Sequence, residues 1–230
     1  STESTNSDIW ELFKNGGKEG SLIVANEQLK GRGRGDKRWY SKKDKSIICS
    51  FLIKQKFPTE KLGLHSILVP VGIILGIKKI INTELFIKWP NDILFNNKKV
   101  AGILIETKSV EKSTYLNIGF GINVNENYSD FHPQIKDSST SLSIISKVKI
   151  QKEILLAEIL NSIDQMLIKK NETEILDCWM ANCAHVNKEI YCQYKNNFIK
   201  VKFKKINENG QALIHYNNKD VIFDGDLLDI

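Results

Sequence analysis

The sequence predicts an α/β domain followed by a small all-β module, on three observations. Over residues 1–184 short apolar runs of strand character alternate with longer helical runs. One of those strand-like runs leads directly into a glycine-spaced basic segment, Gly31 to Trp39 (GRGRGDKRW). From His185 the pattern changes to short alternating strands, with Asn209-Gly210 and Asn217-Asn218 as hairpin turns between them.

Taken in order, Ser4-Thr5-Asn6 precedes Ile9, Trp10, Leu12 and Phe13, apolar positions at helical spacing behind good capping residues. Ser21 to Ala25 (SLIVA) reads as a buried strand, and Ser46 to Ile53 as a second strand. Pro58 to Asn82 is mostly helical. Its most apolar stretch, Ile67 to Ile77, holds Pro70 near one end or at a kink, and is too short to span a bilayer. Leu85 to Trp89 and Ile93 to Phe95 are short strands flanking Pro90-Asn91-Asp92, and Asn96-Asn97-Lys98 is a turn. Val100 to Glu106 and Tyr115 to Gly119 pair as successive strands. Ile150 to Lys170 is an amphipathic helix through Ile154, Leu155, Ala157, Ile159, Leu160, Ile163, Met166 and Leu167, and Glu174 to Asn182 is another. The last strands are Ile190 to Tyr194, Phe198 to Ile206, Gln211 to Tyr216 and Lys219 to Phe223.

With 41% hydrophobic and 26% charged residues, the chain has an ordinary globular composition. Its 33 basic and 27 acidic residues give a net charge of +6, which fits an anionic ligand without demanding nucleic acid. Cys49, Cys178, Cys183 and Cys192 show no C-x-x-C spacing and His65, His132, His185 and His215 are scattered, so no zinc site is readable. Scattered cysteines read as reduced thiols, and the chain opens on no charged-then-apolar leader. The expectation is a cytoplasmic protein without a membrane segment.

Four segments carry chemistry. In the first, Gly31, Gly33 and Gly35 allow close backbone approach while Arg32, Arg34, Lys37 and Arg38 supply four cations against Asp36. Guanidinium forks pair bidentately with phosphate or carboxylate, so the loop suits an anion met from several sides. A solvated basic turn, or a segment adhering to nucleic acid, would have the same composition. Second, Lys88-Trp89-Pro90-Asn91-Asp92 puts a cation, an amide and a carboxylate on a turn at a strand end, where ligands are met; a plain turn with Trp89 in the core reads equally well. Third, Lys99 precedes the small residues Val100-Ala101-Gly102, against which a ligand could lie; Lys99 is otherwise an exposed turn lysine. Fourth, Gly119 and Gly121 in GFGINVN (119–125) suggest backbone contact with a ligand, or a bulge.

Together these segments resemble the motifs of the biotin protein ligases: Ser4-Thr5-Asn6, GRGRGDKRW (31–39), KWPND (88–92), KVAGILIE (99–106) and GFGINVN (119–125), in family order. The resemblance implies a class II synthetase-like, mixed-sheet catalytic domain over 1–184 and a small SH3-like β-barrel domain over 185–230. It implies a ligase that activates biotin with ATP, assisted by Mg2+, to biotinyl-5′-AMP and passes biotin to one lysine of a biotin carboxyl carrier domain. By the same resemblance Ser4, Thr5, Asn6, Gln28, Gly31, Arg32, Gly33, Arg34, Lys99 and Gly102 meet biotin. Arg34, Lys37, Trp39, Asn91, Asp92, Lys99 and Asn123 meet the adenylate, and Arg34, Lys99 and Asp92 carry the chemistry. No metal ligand is assigned.

Asp36 and Lys37 stand where the family has glycine and arginine; Lys37 keeps the charge but loses the fork. The glycine loop is expected to be mobile when empty and to order over the intermediate. With Ser4 so near the first residue, no DNA-binding domain is expected, while a homodimer stays open. Lipoate or octanoate ligation on the same fold, and a non-catalytic basic RNA-binding module, are the alternatives.

Overall fold

The computed structural model describes residues 1–35, 37–169, 171–194, 197–223 and 227. The expectations placed on Asp36 and on Lys170 lie outside these residues.

Helix α1 (Thr5–Lys14) opens the chain, with Ser4 as its N-cap residue but no side-chain capping bond. Strands β1 (Leu22–Val24) and β2 (Ile47–Lys54) follow, then α2 (Leu64–Lys78), β3 (Phe86–Lys88), β4 (Asp92–Phe95), β5 (Lys98–Val110) and β6 (Ser113–Ile122). After the short α3 (Leu142–Ser146) come α4 (Lys152–Lys169) and α5 (Glu172–Ala181). Strands β7 (Glu189–Tyr194), β8 (Asn197–Ile206), β9 (Ala212–Tyr216) and β10 (Lys219–Phe223) follow.

The first six strands form one sheet in the order β1-β2-β6-β5-β4-β3, and the last four a second in the order β10-β9-β8-β7. All five pairings of the large sheet are antiparallel. The expected mixed character is confined to isolated parallel bridges such as Ile87 with Cys183 and Lys99 with Ser139. In the small sheet an antiparallel bridge from Cys192 on β7 to Leu227 brings the chain after β10 back beside the opposite edge, the closure a barrel requires.

One sequence expectation changes here. The SLIVA run is an edge strand, not a buried one: Leu22 and Val24 are 39% and 51% exposed. An unbroken apolar run does not say which strand lacks an outer neighbour. Pro70 lies well inside the fifteen-residue α2, flanked by buried residues on both sides. α2 is apolar on nearly all sides because nearly all of it is covered, Leu75 excepted.

Two close approaches shape the back of the fold. A methyl group on Gly76 would fall 2.5 Å from Ile159 Cα, and one on Gly72 would fall 2.5 Å from Ile163 Cγ1, so α2 and α4 pack almost backbone to backbone. At Gly63, before α2, an added methyl would sit 1.8 Å from the Asn209 carbonyl oxygen on the β8–β9 turn. The indole of Trp89 donates to the Gly210 carbonyl (3.2 Å) and lies 5.8 Å from the Phe223 ring. Trp89 therefore ties the small sheet to the large one, and this member of the KWPND segment works as a structural residue.

Candidate active site

Side chains alternate across a strand, so the register of β2, β6 and β5 sorts the large sheet into two faces. One face reads, in cross-strand rows, Ile47–Ile122–Ala101, Cys49–Phe120–Ile103 and Phe51–Ile118–Ile105. That face is apolar and joins α2, α4 and α5 in the main core. The other reads Ile48–Gly121–Gly102, Ser50–Gly119–Leu104 and Leu52–Asn117–Glu106. Three glycines in neighbouring positions leave a shallow floor there, with polar side chains beside it.

Over that floor lies a narrow cleft of about 80 Å³. Its walls include Thr5, Asn6, Gln28, Arg32, Gly33, Arg34, Lys37, Trp39, Asn91, Asp92, Lys99 and Gly102. Residues from five separate segments of the sequence are thus brought together. Ser4, Gly31 and Asn123 fall outside the lining.

Thr5 and Asn6 are held over the floor by the start of α1. Ser50 Oγ donates to Thr5 Oγ1 (2.8 Å) and to Asn6 Oδ1 (3.0 Å), while Gln28 Oε1 accepts from the Thr5 amide (2.7 Å) and hydroxyl (3.1 Å). Gly119 is required at this point, because a methyl group there would fall 2.0 Å from Asn6 Oδ1. Ser4, 3% exposed, has a buried Oγ with no partner.

The glycine segment is itself a small hairpin. Gly33 N–H donates to the Lys37 carbonyl (2.8 Å), Trp39 N–H donates to the Gly31 carbonyl (2.9 Å), and Arg32 bridges Arg38. Gly31 fits because a methyl there would meet the Trp39 carbonyl oxygen at 2.5 Å. The Trp39 indole folds onto the floor: a methyl on Gly121 would lie 2.3 Å from its Cε2, and one on Gly102 3.1 Å from its Cζ3. Its Nε1 is buried without a partner.

At the far wall Lys99 Nζ pairs with Asp92 Oδ1 at 2.7 Å and stands 5.6 Å from the Trp39 ring centroid. Asn91 Nδ2 donates to the Ile103 carbonyl (2.8 Å), which fixes the turn that carries Asp92. Asn123 Nδ2 donates to the carbonyls of Lys99 (3.3 Å) and Thr140 (3.1 Å). Asn123 thus holds the Lys99 backbone and faces a neighbouring cavity, with Tyr40, Ser41, Lys42, Glu126 and His132. In that cavity burial pushes the Glu126 carboxyl above the usual carboxylate range, against a hydrogen bond from Ser46 Oγ.

The sequence reading counted Arg38, which also lines the cleft, among the loop's cations without assigning it a ligand, and gave no role to Glu106. Glu106 accepts from Trp10, Asn6, Asn117 and Arg32. Only its place in the KVAGILIE segment marked it in the sequence.

For a divalent cation the chain offers little of its own. Among the described residues no three His, Cys, Asp or Glu side chains cluster to hold a metal, and Asp92, the carboxylate of the cleft wall, is paired with Lys99. Most of the charged groups lining the cleft are cations and suit an anion. No helix among the described residues is long and apolar enough to cross a membrane.

The Biotin/lipoate A/B protein ligase family model matches residues 1–123. The bifunctional ligase/repressor BirA of Bacillus spizizenii is 39% identical over 158 residues, which cover 68% of this chain and 49% of that protein. The biotin–[acetyl-CoA-carboxylase] ligase of Mycobacterium tuberculosis is 25% identical over 173 residues, 73% of this chain and 62% of that protein. The chain spans about half the length of the Bacillus relatives it matches. Among solved structures, the biotin protein ligase of Aquifex aeolicus in complex with biotin and ATP superposes with a TM-score of 0.82 at 28% identity, covering 99% of this chain and 94% of that one.

Proposed function

Because the chain belongs to the Biotin/lipoate A/B protein ligase family, we propose that it joins biotin, at the expense of ATP, to a lysine of a biotin carboxyl carrier domain. One observation supports this above the others: a glycine floor flanked by Thr5, Asn6 and Gln28 at one end and by Arg32, Arg34, Lys37 and Lys99 along its sides. The names of the relatives, and the biotin and ATP bound by the Aquifex protein, point the same way.

In the first step a carboxylate oxygen of biotin attacks the α-phosphorus of ATP, forming the acyl phosphate bond as pyrophosphate leaves. Two unit charges about 4 Å apart repel by roughly 4 kcal/mol at an effective dielectric near 20. Fixed cations offset that repulsion, and they stabilise the transition state most where they need not reorganise. Lys99 serves at the carboxylate–phosphate junction, held in place by Asp92. Arg34, with Lys37, serves the phosphates, and Arg32 serves biotin. In the second step the neutral amine of the carrier lysine attacks the acyl carbon and AMP leaves. No enzyme nucleophile is needed in either step. Magnesium in this reading is carried by the ATP phosphates. Ser4, Thr5, Asn6, Gln28, Gly31, Gly33 and Gly102 belong to the biotin end, and Trp39, Asn91, Asp92 and Asn123 to the adenylate end. The reading places the reaction in the cytoplasm and requires neither DNA nor a second copy of the chain.

Purified protein given ATP, magnesium and biotin should label a biotin carrier domain on lysine and exchange pyrophosphate into ATP only when biotin is present. Labelling with lipoate or octanoate, and none with biotin, would overturn the proposal.

A further inference from the structure

Among the contacts that the glycine hairpin makes with the rest of the protein is one to Glu106, the last residue of the KVAGILIE segment, which has no role assigned above. Glu106 lies on β5 opposite Asn117, at the end of the floor nearest α1. Its Oε2 accepts from Trp10 Nε1 (3.1 Å), Asn117 Nδ2 (3.2 Å) and Asn6 Nδ2 (3.4 Å). Its Oε1 pairs with Arg32 Nη2 at 2.5 Å. The two oxygens thus have different duties: one is fixed by a helix and a strand, the other reaches the hairpin.

We infer that Glu106 is a positioning residue, one that holds Arg32 at the cleft wall before any ligand arrives. Three observations support the assignment. The carboxylate is oriented by three neutral donors, so presenting its second oxygen to Arg32 costs little further conformational freedom. Arg32 stays on the cleft wall while so paired, and a guanidinium has five N–H donors, enough to meet a ligand without releasing Glu106. The same carboxylate holds Asn6, so two of the residues expected at the biotin end share one anchor. A salt bridge between a side chain 48% exposed and another 22% exposed adds little to global stability, so the effect of Glu106 falls on the hairpin, not on the fold.

This inference rests on the biotin reading for its kinetic arm but not for its structural arm. Glu106→Gln leaves an amide oxygen for Trp10, Asn117 and Asn6 and turns an N–H group toward Arg32, removing only the hairpin contact. In the ligand-free protein this variant should be cut within residues 31–39 about tenfold faster by a broad-specificity protease, with its melting temperature unchanged. In turnover its KM for biotin should rise about tenfold while kcat at saturation stays within about twofold. Arg32→Ala should mask both effects, the double variant being no worse than Arg32→Ala alone. If Glu106→Gln lowers kcat and melting temperature together, or adds its full effect on top of Arg32→Ala, Glu106 is only a node of the fold and the assignment falls. If the wild type shows no biotin turnover, the biotin reading fails, and the protease comparison of the single and double variants still decides the role of Glu106.

Discussion

The two faces of the large sheet use glycine for opposite ends. Behind the sheet, Gly72 and Gly76 remove side chains so that α2 and α4 can touch, and nothing is left between them. In front, Gly102 and Gly121 remove side chains so that something other than the protein's own core can lie against the strands, and Gly119 makes room for Asn6. The same residue type therefore marks close helix packing on one face and the floor of the candidate site on the other. What separates them is the neighbour: backbone and aliphatic carbon behind, a tryptophan ring, an amide and a lysine in front. A conserved-looking glycine in a sequence is ambiguous until its opposite number is known.

The sharpest test of that contrast is Lys99→Ala. If the front face exists for chemistry, this variant should lose about 100- to 1,000-fold in adenylate formation, on the order of 3–4 kcal/mol of transition-state stabilisation, while its melting temperature changes little. A near-normal rate of pyrophosphate release would return Lys99 to the status of a turn residue. The matching test behind the sheet is Gly76→Ala. Its methyl would meet the Ile159 backbone at 2.5 Å, so overpacking should cost about 1–3 kcal/mol in denaturant unfolding, with the specific activity of the folded fraction preserved. Gly121→Ala should do the reverse, lowering activity with less effect on stability. Equal stability losses at Gly76 and Gly121 would break the comparison.

A third test concerns the junction with the small sheet, which belongs to neither face. His185 is fully buried, 4.2 Å from the Phe203 ring centroid, with no hydrogen-bond partner for either ring nitrogen. Burial, with the nearby charges of Lys88 and Lys188, lowers its pKa to about 3. The unfolded chain then binds the proton more tightly than the folded one. The stability it confers is full above about pH 6.5 and is lost as pH falls toward 3, by about 2 kcal/mol at pH 5. His185→Phe should flatten that acid limb in urea titrations at pH 5 and pH 7, without altering biotin binding. An unchanged acid limb would mean that other groups set it.

The smallest effect expected is a division within the hairpin. Arg34→Ala should weaken a non-hydrolysable biotinyl-AMP analogue about tenfold more than it weakens biotin, whereas Arg32→Ala should weaken both alike. Calorimetry with the two ligands reads this directly. Equal losses for both ligands in both variants would reduce the hairpin to a diffuse basic patch.

Much of this architecture was legible because it rests on short-range rules. Asn96 and Asn97 turn β4 into β5 with positive φ, Asn217 and Asn218 do the same between β9 and β10, and the apolar stripe of α4 appears at its helical spacing. The motif order pointed to most of the cleft wall before any fold was known. What escaped depends on the third dimension. SLIVA looks buried because sequence does not reveal the edge of a sheet, and the short α3 carries too few residues for a period. Asn123 reads from sequence as a ligand contact, and nothing local in the sequence shows that its amide also ties Lys99 to Thr140. Glu106 escaped for a different reason: its importance comes from four donors contributed by α1, β6 and the hairpin, and no local pattern encodes such a convergence.

The indole of Trp39 resting on Gly102 and Gly121 has a consequence for how affinity should be understood here. The floor is not a bare surface waiting in water; it already has a tenant from its own chain, with an N–H that finds no partner there. Any planar ligand that settles on those glycines must evict the ring, so binding is an exchange of one aromatic surface for another. The affinity is then a difference between two occupants, and the hydrophobic gain of covering the floor is reduced by that of displacing the ring. Selectivity falls to the groups the indole cannot imitate: the anions that Arg32, Arg34, Lys37 and Lys99 can meet and a tryptophan cannot supply.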